Sequence, residues 1–182
     1  MMAAALLALA ANYFLTTLAI WFGHWASHVW QPLRTSHVLG HHRLYAGAHG
    51  LRSERFRYGS GRHDSLIAQV PPHVAQALLL LFALPRPLFV ICAIEMVALV
   101  AGFTWLHAQF HLTRPRFRRF TWFEDVRRAH DAHHRRDVNF MVADHSWDRV
   151  FGTYAVPPVG HAGWQAKASE IGQRVDFPSA ES

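Results

Sequence analysis

The chain has 182 residues, of which 51% are hydrophobic, and a formal charge of +6. Its single cysteine, Cys92, lies inside an apolar run, which excludes an intrachain disulfide and a thiolate zinc site. The size predicts one domain over 1–182, and the absence of any charged residue before Arg34 predicts a membrane protein.

Residues Ala3 to Gly23 give an uncharged stretch of about 31 Å as a helix, enough for a bilayer's hydrocarbon core. No Lys or Arg precedes it and no small-x-small site follows, so a span is expected rather than a cleaved signal peptide. A second apolar region runs from Leu66 to Leu106 and is broken at Pro85-Arg86-Pro87, which predicts a helical hairpin. Its returning arm, Leu88 to Leu106, is long enough to span. Its first arm should start near Pro72 and reach Leu84, about 20 Å, unless a kinked form extends it through Leu66 to Val70 or the hairpin is re-entrant. Glu95 inside the returning arm is expected either to be buried and hydrogen-bonded or to line a substrate cavity.

Arg114 to Arg119 reads as an interfacial stretch anchored by Phe117, Phe120 and Trp122, with Trp105 and Trp147 as further interface anchors. Thr121 and Glu124 form a capping-box pattern that opens a helix expected to run to about Arg136. Residues 157–182 read as a weakly ordered tail.

The eighteen Lys and Arg residues divide as six in 24–65, one at Arg86, and eleven after Leu106. The positive-inside rule then puts the C-terminal part on the cytoplasmic side and the hairpin tip opposite. This bias accounts for the basic balance, so no nucleic-acid partner is expected.

Ten of fifteen histidines fall into four boxes beside the ends of the apolar segments: His24 and His28; His37, His41 and His42; His107 and His111; His130, His133 and His134. Residues four apart lie about 40° apart around a helix, so each pair can aim two imidazoles at one point. The three rings of the last box share a face about 100° wide. In the second box His42 falls about 140° from His37 on a regular helix, so a π-bulge near Gly40 is needed to gather that set. A histidine-rich metal site follows. Ligand type alone leaves iron, zinc, copper and nickel open. His49, His63, His73 and His161 read as bystanders.

Ligating histidines donate their other ring N–H to a carboxylate or carbonyl. Asp148 is the foremost candidate acceptor, beside Asp131, Asp137 and Asp144. Asn139 is expected at a turn with a supporting role, and His145 is an additional site candidate.

The succession of boxes, with His130-Asp-Ala-His-His134, Asn139-Phe and Trp147-Asp-Arg-Val-Phe-Gly-Thr153, resembles the fatty acid hydroxylase and sterol desaturase superfamily of membrane di-iron oxygenases over about residues 20–154. The resemblance implies an all-α integral membrane protein in which an N-terminal span and a hairpin carry a cytoplasmic helical cap. It implies two iron ions held by His24, His28, His37, His41, His42, His107, His111, His130, His133 and His134, with O2 as cosubstrate. Hydroxylation or desaturation of a fatty acyl or sterol-like lipid is the expected activity. Relatives usually have about four membrane helices, one of them ahead of the span that begins this chain. No haem segment, nucleotide loop or cysteine cluster is present, so electrons are expected from a ferredoxin, rubredoxin or b-type cytochrome with its reductase. Two alternatives stand beside this: a membrane metal-binding or transport protein without redox catalysis, and a carotenoid hydroxylase. Transport is disfavoured because transporters place ligands at mid-membrane on broken helices.

Overall fold

A computed structural model describes residues 2–46, 50–57 and 64–155. Among these the chain is helical, and its one isolated bridge pairs Ser53 with Leu112. The tail 157–182 and His49, His63 and His161 lie outside the described residues.

The uncharged N-terminal run forms α1, Met2–Val29, and the returning hairpin arm forms α5, Arg86–Phe110. Both are long and apolar enough to cross a membrane. Between them come α2, Gln31–Ser36, a π-helical segment His37–His42, α3, Arg43–Ala46, and α4, Asp64–Ala83. Two further helices follow: α6, Thr121–His133, and α7, Ser146–Val150. Helix α1 packs against both arms of the hairpin. On α5, Val90, Ile91, Ile94 and Val97 remain 44 to 65% exposed, an uncovered apolar surface suited to lipid.

Helix α4 does not start at Pro72 but carries Pro71 and Pro72 in its interior, so the extended form of the first arm is the one observed. Proline at 72 cannot donate to the carbonyl of Ala68. That carbonyl faces Gly23 of α1, where an added Cβ would lie 2.8 Å from it. The two helices therefore meet one residue before His24, at a contact only glycine permits.

Below this contact the three long helices share polar side chains. Gln76 Nε2 donates to Asn12 Oδ1 at 2.8 Å and Thr16 Oγ1 at 2.7 Å. Asn12 Nδ2 donates to Glu95 Oε2 at 2.7 Å and to the Cys92 carbonyl at 2.9 Å. Glu95 thus has the hydrogen-bonded role, and its twelve-residue separation from His107 is about 18 Å along α5. His73 sits beside this network, 3.3 Å from Gln76 Oε1.

The chain after α6 folds back along α1. Asp144 accepts from the Tyr13 hydroxyl at 2.8 Å, Trp147 donates to Thr17 Oγ1 at 2.9 Å, and Asp148 accepts from Trp21 Nε1 at 3.1 Å. Residues 13, 17 and 21 are spaced by four, so one stripe of α1 carries all three contacts and continues upward to His24 and His28. Trp147 is therefore docked on α1 through its N–H rather than free to anchor an interface, whereas Trp105 and Trp122 remain 43% and 47% exposed. Phe140 and Met141 pack with Ile20 and Trp21, while Val142 packs with Leu106, Phe110 and Phe123. This apolar wedge fixes the segment that closes over the histidines.

Helix α6 differs from its expected boundaries. Its N-cap is Phe120, with no side-chain cap, and Glu124 pairs with Arg127 at 3.3 Å instead of reaching back to Thr121. The helix ends at His133, not Arg136. Bonds from Arg135 N to Ala132 O and Arg136 N to His133 O span three residues and tighten its last turn.

Candidate metal centre

The four boxes meet at one end of the helical assembly, yet they do not feed one point. His24, His28, His37, His42 and His133 form one group whose ligand atoms all lie within 4.8 Å of one another. His41, His107, His111, His130 and His134 form a second group within the same limit. The groups abut, with the rings of His42 and His134 stacked at 4.2 Å.

Two boxes are divided between the groups. In the second box the π-helical segment supplies the anticipated irregularity, and its wider turn brings together residues five apart. His37 and His42 accordingly share the first group, their Nε2 atoms 3.2 Å apart, while His41 turns to the second. In the last box His130 and His134 serve the second group and His133 the first. A face 100° wide is broad enough to address two neighbouring centres, so the three rings do not converge on one.

Inter-ring distances provide a test of fit. Nε2 atoms stand 2.9 Å apart for His24 and His37, 3.0 Å for His130 and His111, 3.1 Å for His134 and His130, and 3.3 Å for His111 and His107. Ligand nitrogens bound at about 2.1 Å are separated by about 3.0 Å at an octahedral edge and about 3.4 Å at a tetrahedral one. Tautomers point the same way. The Nδ1–H groups of His24 and His111 face the carbonyls of Phe140 at 2.5 Å and Leu51 at 3.2 Å, leaving bare Nε2 lone pairs turned toward other imidazoles. His28, His41 and His133 each also hold a buried Nε2 with no partner among the described residues. These residues fit metal ions.

Burial works in the same direction. It holds His37, His41, His42, His130, His133 and His134 well below the ordinary histidine range, with the neighbouring imidazoles adding to the effect. The rings are thereby kept neutral, which is the ligating form.

The anchoring groups are mostly backbone. His133 Nδ1 donates to Val138 O at 2.8 Å, and His28 Nδ1 to the Asp137 carboxylate at 2.8 Å. The His28 hydrogen bond lowers the Asp137 pKa, although its side chain is 72% exposed and solvent screens the charge. Asp148 touches none of the boxed histidines. Its buried carboxylate accepts from Phe140 N at 2.8 Å, Met141 N at 3.0 Å and Thr153 Oγ1 at 2.7 Å. Burial alone would raise its pKa, but these donors, with His145 at 3.2 Å, outweigh that and hold it low. His145 lies outside both groups, against Asp148 and the Tyr154 ring. Asn139 has a left-handed backbone, φ 54°, and its side chain donates to the Ala129 and Ala155 carbonyls while accepting from Ala155 N. Asp131 forms an ion pair with Arg52 that ties residues 50–57 to α6.

Sequence reasoning missed Tyr45, whose ring stacks on His111 at 3.9 Å, and Phe56, 5.9 Å from the same ring. Tyr45 lies four residues after His41, the one signal that could have found it. Val138, Phe140 and Leu51 act through carbonyls, which every residue has, so no sequence signal marks them. No family model matches the chain, and no curated protein or solved structure is detectably similar to it.

Proposed function

We propose that the chain is an O2-dependent di-iron oxygenase that hydroxylates or desaturates a fatty acyl or sterol-like lipid of its own membrane. One observation carries this reading: ten imidazoles form two adjoining five-nitrogen groups at the ends of two helices apolar enough to span a bilayer. Bound iron would supply O2 activation next to a C–H bond of the lipid. The chain's residues would supply the rest. The boxed imidazoles would hold the ions, and the wedge of Phe140, Met141 and Val142 keeps water from the first group. The uncovered apolar faces of α1 and α5 offer a lateral route for an alkyl chain. Arg114, Arg116, Arg118, Arg119 and Arg135 are exposed near the histidine-bearing end and would steer an acidic electron donor. In this reading that end faces the cytoplasm.

The test is metal analysis of the purified chain from iron-replete cells, with lipid analysis of an expressing strain against its deletion under 18O2. Iron at about two ions per chain and an 18O-labelled or newly unsaturated lipid are expected; His133→Ala should abolish the lipid product and lower the iron content. Absence of metal, or full activity with zinc alone, would overturn the proposal.

A further inference from the structure

The two histidine groups differ in how their rings are held. In the first, all five residues are buried, and three Nδ1 atoms are fixed by one short segment: His28 by Asp137, His133 by Val138 and His24 by Phe140. That segment is itself clamped. Asp148 takes the N–H groups of Phe140 and Met141, Asn139 N donates to Thr153 O at 2.9 Å, and the Asn139 side chain bridges Ala129 and Ala155.

The second group lacks such a clamp. Among the described residues, only His111 has an anchored outer nitrogen, on Leu51 O. The Nδ1 atoms of His130 and His134 are buried with no partner among the described residues, and His41 and His107 are half-buried rather than closed off. Phe56 and Tyr45 flank this group, and the loop bearing Leu51 is joined to its neighbours by the Ser53–Leu112 bridge and the Arg52–Asp131 pair.

We infer that the two metal positions are unequal: the His24 group holds a resident ion, and the His41 group holds an exchangeable ion that outside molecules reach. The inference rests on the dimetal reading above. Rings already fixed in the ligating tautomer and orientation lose little freedom on binding, whereas His130 and His134 must be ordered by the ion itself. Asp148 and Asn139 are positioning residues for the resident ion, acting through the 137–140 backbone. Adjacent residues consequently serve different ions, His42 the resident one and His41 the exchangeable one.

The experiment uses the full chain in detergent, loaded with zinc alone and dialysed against graded EDTA, with zinc per chain counted at each step. Wild type should lose its zinc in two phases, the second needing 10- to 100-fold more chelator, the scale on which outer hydrogen-bond partners tune metal affinity. Asp148→Asn should bring the second phase down toward the first and leave the first in place. Asn139→Gly, which keeps the left-handed backbone and removes the side-chain bridge, should act in the same sense. His41→Ala should abolish the early phase and His42→Ala the late one. Release of both ions in one phase, or an equal shift of both phases in Asp148→Asn, would overturn the inequality while leaving a dimetal centre standing. A wild-type chain that retains no zinc or iron under any loading would overturn both this inference and the proposed function.

Discussion

Asp148 accepts the N–H of Phe140 at 2.8 Å, and the carbonyl of that same Phe140 takes the Nδ1–H of His24 at 2.5 Å. One carboxylate, fully buried and more than one hundred residues away in sequence, thereby sets a ring orientation on α1. It does so without touching the ring.

The first prediction follows from that relationship. Asp148→Ala would strand the N–H groups of Phe140 and Met141 and the indole N–H of Trp21 in a buried setting. Each orphaned donor costs about 1–3 kcal/mol, so a total loss of about 3–5 kcal/mol is expected after partial relaxation. Thermal unfolding of the detergent-solubilised chain checks this. An unchanged midpoint would mean that the 137–155 segment does not depend on Asp148.

Acid should loosen the metal-free chain. Burial, with the neighbouring imidazoles, holds His37, His42, His130, His133 and His134 below the ordinary histidine range, and for His111, with burial the leading cause, the value falls to about 2. Above about pH 6.5 these rings are neutral in both the folded and unfolded states, and no linkage arises. As pH falls below that value the unfolded chain takes up protons that the folded chain refuses, so stability declines with decreasing pH. For His111 the loss continues down to about pH 2. Each such ring removes up to about 1.4 kcal/mol per pH unit. Unfolding midpoints measured at several values between pH 8 and 5 should be flat at the alkaline end and fall steeply below about 6.5; a rising midpoint on acidification would contradict the burial of these rings.

At Gly23 an added Cβ would meet the Ala68 carbonyl at 2.8 Å and the Gln69 carboxamide at 3.0 Å. Backbone cannot yield as a flexible side chain can, so Gly23→Val should force α1 and α4 apart at a cost of about 1–3 kcal/mol. Because His24 is the next residue, metal content should drop together with the thermal midpoint. Gly102, which has no neighbour within 4 Å of an added Cβ, is the control. Gly102→Ala should leave the metal content unchanged and should not lower the midpoint, since alanine favours a helix interior over glycine.

Topology follows from charge. Seventeen of eighteen basic residues lie away from the hairpin tip. A reporter fused after Ser182 should report the cytoplasm, and one inserted at Arg86 the opposite side. A cytoplasmic signal from Arg86 would instead indicate a re-entrant hairpin, with the α4–α5 tip turning back inside the bilayer.

Sequence alone determined the apolar segments, the ten boxed histidines, and the need for an irregular turn at His37–His42, because helical spacing and hydropathy are local properties. It also placed Asn139 at a turn, where the chain does adopt a left-handed conformation. Spacing fixes the angle between two side chains on one helix but not the partner that waits at each angle. Only tertiary packing decided that His41 and His42 part company, that His133 leaves its box-mates for the α1 group, and that α4 runs unbroken through Pro71 and Pro72. The same holds for Asp148. Its sequence proximity to the last box suggested direct contact with a ring, whereas the folded chain interposes Phe140, whose backbone carbonyl does the holding and leaves no trace in the identity of its side chain.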